Sequence, residues 1–300
     1  MKITLIGGSG LIGRALAEEL RQFGDFVTIL SRGARPEGLH ALIKWEIWDG
    51  KDAARLKELL FKQEAVVNLA GESIGKGKWT KERKAILMQS RLEPTNAIVE
   101  ALKQMVIRPS VLIQASAVGY YPSGDAIMDE KGPAGTDYLA QLAQSWEAAS
   151  LPVEALNVRR VVIRSGVVLS KKGGVLEQLT LPFKLFAGGP IGSGKQFVPW
   201  IHIEDEVNAI RFLIHKEAAR GIYNLNAPDI VRNAAMGKMI AKVMKRPYWL
   251  PVPAFAMRLL LGEMSTLVLD GQHVVPLRVV KEGFSFRYYH LEPALRDLLS

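Results

Sequence analysis

The chain has 300 residues, 48% hydrophobic and 23% charged, with a formal net charge of +9. That supplies a substantial core for one large domain or two coupled lobes. The absence of cysteine excludes disulfides, thiol catalysis and thiolate metal sites and gives an oxidising compartment no support, so a cytoplasmic globular protein is the simplest expectation. No apolar run approaches the roughly 20 residues that span a bilayer, and the apolar N-terminus lacks a cleavage pattern, so it reads as a first strand and no membrane partner is expected.

Residues 1–6 are an apolar run, followed by Gly7-Gly8-Ser9-Gly10-Leu11-Ile12-Gly13 and an amphipathic stretch from Arg14. A strand, a glycine-rich turn and a helix in that order form a nucleotide-binding unit, in which the backbone comes close to a pyrophosphate and the helix offers it unpaired N–H groups. Gly8-x-Gly10-x-x-Gly13 and Gly7-x-x-Gly10-x-x-Gly13 both fit, and glycines alone do not choose between them.

The second strand, residues 26–30, ends in Ser31-Arg32. An NAD site calls for an acidic residue there to bind the ribose hydroxyls. A hydroxyl and a guanidinium instead suit a 2′-phosphate, with Arg35 as a further cation, and predict NADP. Residues 42–48 read as a third strand ending at Asp49, placed to meet an adenine edge, and residues 52–61 as its helix. Residues 65–71 are a continuous apolar strand whose small-residue end, Leu69, Ala70 and Gly71, belongs beside a cofactor.

Residues 76–84 hold the densest run of cations, with one aromatic. Nucleic-acid binding would call for several aromatics on a sheet face or a known motif, and neither is present. A helix follows from residue 80 to about 105, which Pro94 kinks or divides. Strands at 111–115 and 156–163 flank a helix at 137–149. The alternation predicts an α/β fold, a Rossmann-type doubly wound parallel sheet. Beyond Gly166 glycines and prolines divide short segments into a smaller, loop-rich lobe. The division is residues 1–165 for the nucleotide, with 197–225 returning to that domain, and 166–196 with 226–300 for a C-terminal substrate lobe.

In order, Gly7-x-x-Gly10-x-x-Gly13, Asn68-Leu69-Ala70-Gly71, Ser116 within Gln114-Ala115-Ser116-Ala117-Val118-Gly119-Tyr120-Tyr121, and Trp200-Ile201-His202-Ile203-Glu204-Asp205 resemble the extended, or atypical, short-chain dehydrogenase/reductase superfamily. Gly71-Glu72-Ser73-Ile74, Trp79, Arg83-Lys84, Ser90-Arg91, Ser145-Trp146-Glu147-Ala148-Ala149, Gly192-Ser193-Gly194-Lys195-Gln196 and the tail from Pro251-Val252-Pro253 to Leu261-Gly262-Glu263-Met264 are similar to its nucleotide-sugar epimerase-like subgroup, some of whose members are labelled cell-division inhibitor homologues. The similarity runs from the first strand to the last helix.

The resemblance implies hydride transfer, transient in epimerisation, by a Ser or Thr at the fifth strand end, a Tyr, and a Lys one helical turn later that lowers the phenol pKa. Ser116 and Tyr138 are the catalytic candidates. Leu142 stands four residues after Tyr138, and none of the seven tyrosines has a lysine at that distance. The cofactor candidates are Gly7, Gly10, Leu11, Ile12, Gly13, Ser31, Arg32, Asp49, Leu69, Ala70, Gly71 and Ser116. Glu72, Arg83, Arg91, Gln196, Trp200 and His202 are candidates for the crevice that takes an anionic or sugar-nucleotide-like substrate, although a lone His at a strand end first suggests a structural residue fixing the wall.

Five scattered histidines and no HExxH spacing predict no metal, and Ser116 lacks the Gly-x-Ser-x-Gly elbow of a hydrolase. The missing lysine keeps a second reading, a catalytically silent NADP(H) sensor or an interaction factor in cell division. The expected partner is a small molecule, with a homodimer left open.

Overall fold

The structure, a computed structural model, describes residues 1–300. Its strands are β1 (Lys2–Ile6), β2 (Phe26–Ser31), β3 (Lys44–Ile47), β4 (Ala65–Asn68), β5 (Val111–Ala117), β6 (Gly124–Met128), β7 (Arg159–Ser165), β8 (Val167–Leu169), β9 (Phe197–Val198), β10 (Trp200–His202), β11 (Gly221–Leu225), β12 (Val231–Arg232) and β13 (Gln272–Val274). The α-helices are α1 (Leu11–Phe23), α2 (Ala53–Leu59), α3 (Lys81–Lys103), α4 (Tyr138–Ser150), α5 (Val175–Lys184), α6 (Ile203–His215), α7 (Asn233–Met244), α8 (Ala254–Leu261), α9 (Thr266–Leu269), α10 (Leu277–Lys281) and α11 (Leu291–Leu299).

Seven strands form one sheet in the order β11-β7-β5-β4-β1-β2-β3, with every neighbouring pair parallel. The strand order reverses between β1 and β4, and a crevice opens at the carboxyl ends of the strands there. Helices α1 and α6 pack together on one face, and α2, α3 and α4 on the other. Strand residues alternate between these faces. On β5 and β7, Ile113, Val161 and Ile163 enter the α1/α6 core, while Leu112 enters the α2/α3 core.

The expected doubly wound parallel sheet is therefore present. Helix α3 runs unbroken through Pro94, whose side chain is buried, so the expected division at this proline is corrected: packing along α2 and α4 holds the helix across the missing N–H. The region after Gly166 has a core of its own, built around Leu176, Phe183, Trp200, Met236, Ile240 and Leu295. It is more helical than its glycine and proline punctuation suggests, with α5, α7 and α11 supplying most of that core. Within residues 197–225, α6 and β11 join the main sheet and its core, whereas β9 and β10 pair with β12 and β8 outside it.

Candidate functional site

The turn from β1 into α1 is built by close approach. Gly7 lies at φ +76°, and a Cβ there would sit 2.7 Å from the Ala70 nitrogen; one on Gly13 would sit 2.5 Å from Gly8 Cα. No side chain caps α1 at Gly10 and its first turn holds no acid. The first helical bond runs from the Arg14 N–H to the Gly10 carbonyl, so the N–H groups of Leu11, Ile12 and Gly13 are left for a ligand, at the positive end of the helix.

Beside this turn lies a pocket of about 210 Å³ lined by Gly7, Gly10, Ser31, Arg32, Asp49, Leu69, Ala70 and Gly71, among others. Arg32 is 71% exposed at its rim and pairs with Glu72 at 3.0 Å. The Ser31 hydroxyl lies 3.2 Å from that of Ser9. Backbone N–H groups of Asp52 and Lys51 bond Asp49 and hold its carboxyl below the usual range. Arg35, read as a second cation for the phosphate, is directed elsewhere: its guanidinium donates to the carbonyls of Leu39, His40 and Ile43 and ties down the loop before β3.

A second cavity, of about 240 Å³ and mostly apolar, opens at the carboxyl ends of β5 and β7. Its walls include Ala117 and Val118, Ser165 to Val167, Gln196, and Thr266 to Val268. Helix α4 presents Leu139, Leu142, Ala143 and Trp146 to it, the i, i+3, i+4, i+7 face. Arg91 is buried, lies 5.0 Å above the Trp146 ring, and donates only to the carbonyls of Leu87 and Glu72. It forms no ion pair, and burial pulls its guanidinium down to about 10. The Gln196 amide donates to Ile191 and Val268 carbonyls, leaving its buried Oε1 without a partner.

Several sequence candidates stand elsewhere. The Ser116 hydroxyl donates to Glu147 at 2.6 Å, and Glu147 is gripped by both arms of Arg164, which also donates to Tyr121. Tyr138 begins α4 beside Asp137, whose carboxyl caps the helix through the Ala140 N–H. Its hydroxyl lies 3.2 Å from the Lys84 carbonyl, and burial holds the phenol above its usual range. Neither Ser116 nor Tyr138 is among the residues lining the cavity. Arg83 donates to the Ser73 carbonyl and lies 3.8 Å from Glu72.

Two crevice candidates are corrected outright. Trp200 has no exposed surface and donates to the Asp229 carbonyl within the core built by residues after Gly166, because β10 pairs with β8 and turns the indole inward. His202 is also buried: its Nδ1 accepts from the Glu204 N–H to cap α6, its ring stacks 3.9 Å from that of Tyr288, and burial lowers its pKa. It fixes a wall on the α1 side, away from Arg91 and Gln196. Conversely, the reading of the sequence missed Ser165, Asn233 and the segment 266–272, which is brought to the cavity from the far end of the chain.

Comparison with known proteins agrees with this architecture. Residues 3–225 match the NAD dependent epimerase/dehydratase family, and residues 252–298 match a domain of unknown function, DUF1731. An epimerase family protein of Staphylococcus aureus is 39% identical over 308 residues, covering 100% of both chains. The chloroplastic epimerase family protein SDR39U1 homolog of Arabidopsis thaliana is 38% identical over 303 residues, covering 100% of this chain and 87% of that one. The crystal structure of human epimerase family protein SDR39U1 (isoform2) with NADPH superposes at a TM-score of 0.90 with 32% identity, covering 99% of each chain. No helix is long and apolar enough to cross a membrane.

Proposed function

Since the chain belongs to the NAD dependent epimerase/dehydratase family, we propose that it is an NADP(H)-dependent oxidoreductase or epimerase-like enzyme acting on a small anionic substrate. One observation carries the reading: a pocket beside the glycine-rich turn at the ends of β1 and β2 and an apolar cavity at the ends of β5 and β7 share the carboxyl edge of one sheet. A dinucleotide spans such an edge across the switch point.

The residues present fit that group. The uncapped α1 would take the diphosphate, with Gly10 adding no side chain at the pocket wall. Ser31 and Arg32 would take the 2′-phosphate, and no acid stands at the end of β2 to repel it. Asp49 would meet the adenine, and Leu69, Ala70 and Gly71 would line the path inward. The NADPH named with the human relative supports the same cofactor. Bound there, the dinucleotide supplies or takes up hydride.

The chain would do the rest. Arg91, buried with only carbonyl partners, would hold an anionic group of the substrate, and the apolar walls would exclude water. Burying an unpaired cation is unfavourable, and a bound anion offsets it. That feature favours an occupied site over the catalytically silent alternative. Glu72 and Arg83 would act at the rim, and Gln196 from the C-terminal lobe.

The test is titration with NADPH, NADP⁺, NADH and NAD⁺, read by energy transfer from tryptophan and by calorimetry. Trp146 lines the cavity and reports on the reduced forms. Selective binding of the phosphorylated pair supports the reading, and failure of all four to bind overturns it.

A further inference from the structure

Helix α6 carries an acid where its pattern calls for an apolar residue. Its buried positions include Glu206, Val207, Ile210 and Leu213, and Glu206 has no exposed surface. Its one partner is the Ser165 hydroxyl, 2.5 Å from one carboxyl oxygen, while the other oxygen is buried with none. Ser165 ends β7 and lines the apolar cavity. The only polar route from Glu206 therefore leads through Ser165 to the place where substrate would sit.

Other ionisable groups on the elements packed around Glu206 are engaged elsewhere. On α1, Glu19 pairs with Arg211, Glu18 with Arg21, and Arg14 donates to the Ser9 carbonyl. On β7, Arg159 holds carbonyls at the far end of α6, Arg160 pairs with Glu154, and Arg164 faces Glu147 across the sheet. His202 of β10 lies 3.3 Å from Asp297, and on α6 itself Glu204 pairs with Arg287, Asp205 accepts the N–H groups of Arg287 and Tyr288, and His215 lies 2.9 Å from Asp25. With no cation to hold it ionised, burial pushes Glu206 up to about 7, so both of its forms are accessible near neutrality.

A hydroxyl has one proton, which gives the pair two states. When Glu206 is ionised, Ser165 donates to it and can only accept from the cavity. When Glu206 is protonated, its own proton satisfies the Ser165 oxygen, and the serine proton turns to the cavity.

We propose that Ser165 and Glu206 are the proton-carrying pair of this cavity, with Ser165 touching the substrate oxygen and Glu206 holding the proton behind it. The assignment rests on the preceding reading that hydride transfer occurs in this cavity. It supplies the role that Tyr138, which does not line the cavity and has Leu142 one turn later, does not. In the direction of carbonyl reduction, with hydride supplied to the carbon by a bound reduced dinucleotide, the new substrate O–H bond would take the Ser165 proton. The Glu206 proton passes to the serine oxygen, and the carboxylate left behind regains a proton from water through Ser165 once product has gone. Alcohol oxidation runs the same transfers backwards.

Infrared spectra of the full-length protein, with and without NADPH, titrated between about pH 5 and 9, test the pair directly. A carboxylic-acid C=O band is expected that fades as pH rises through neutrality, disappears in Glu206→Gln, and shifts in Ser165→Ala. The absence of a titrating band, or its persistence in Glu206→Gln, overturns the proposal. With a carbonyl substrate found by screening, Ser165→Ala is expected to lower kcat tenfold or more at unchanged NADPH affinity, and Glu206→Gln to flatten the fall in rate with rising pH; an unchanged kcat in Ser165→Ala overturns the catalytic role. NADPH binding without a titrating band sinks the pair alone. Failure of NADPH to bind, with the band retained, sinks the cofactor reading and the substrate contact with it.

Discussion

The hydroxyl of Tyr138 rests 3.2 Å from the main-chain carbonyl of Lys84, and the Lys84 ammonium lies 4.7 Å from the ring centroid while it pairs with Glu263. A lysine is thus close to this tyrosine, but it reaches the ring and not the phenol oxygen, and the phenol is held above its usual pKa. Tyr138 joins α3 to α4 as packing, edge-on to Trp79. Tyr138→Phe should leave NADPH affinity and turnover within about threefold and cost about 1 kcal/mol of stability, the worth of one ordinary hydrogen bond. A hundredfold loss of kcat with the fold intact would restore Tyr138 as the base.

Arg32, largely exposed at the rim of the nucleotide pocket, pairs with Glu72 3.0 Å away. A 2′-phosphate would compete with that carboxylate for the guanidinium. Arg32→Ala removes one charged hydrogen-bonding group, worth about 1.5–3 kcal/mol, so NADPH should bind roughly ten- to a hundredfold more weakly. NADH, which lacks the phosphate, should change little. Glu72→Gln should tighten NADPH by removing the competitor. Equal losses for both cofactors in Arg32→Ala, measured by calorimetry, would place the 2′-phosphate elsewhere.

How far the sequence discloses this protein depends on whether a signal is local. Glycine spacing at 7, 10 and 13 and the apolar run at residues 65–71 have local causes; the turn and α1 lie where the pattern puts them, and β4 takes the first four residues of its run. Trp200 and His202 read as crevice candidates because their segment, residues 200–205, resembles a family motif. Which way their strand faces depends on β10 pairing with β8 and on Tyr288 arriving from residues later in the chain. The wall at 266–272 is equally non-local. Glu206 did leave a signal: an acid among Ile203, Val207 and Ile210 at helical spacing. Only the register against Ser165 gives it a partner.

Glu147 and Arg164 form a doubly bonded pair between α4 and β7, with Arg164 1% exposed. The Arg164 guanidinium also lies 3.3 Å from the Tyr120 ring centroid. Such a pair adds little net stability when whole but is costly to break, because the remaining charge stays buried. Glu147→Gln preserves shape and removes the charge, and should cost about 3–5 kcal/mol in urea unfolding. Replacing both residues with apolar ones of similar volume should recover much of that loss. A Glu147→Gln loss below about 1 kcal/mol would show that water reaches the pair.

Glu206 ties stability to pH with a definite sign. Its carboxyl is raised from 4.5 to about 7 by burial, with the Ser165 hydroxyl pulling the other way. The folded state therefore keeps a proton that the unfolded chain releases above its own lower pKa. Between those values folded molecules bind more protons than unfolded ones, so stability falls as pH rises. The contribution is whole below about pH 4.5, declines through the interval, and is gone above about pH 7. At 1.36 kcal/mol per pKa unit this shift corresponds to about 3 kcal/mol. Glu206→Gln cannot ionise, so its stability should lack this decline, and its gain over the wild type should be larger at pH 8 than at pH 5. Urea unfolding of both proteins at the two pH values decides the matter. Parallel changes in the two would mean that Glu206 ionises alike in the folded and unfolded chains, and that its burial beside Ser165 does not hold a proton near neutrality.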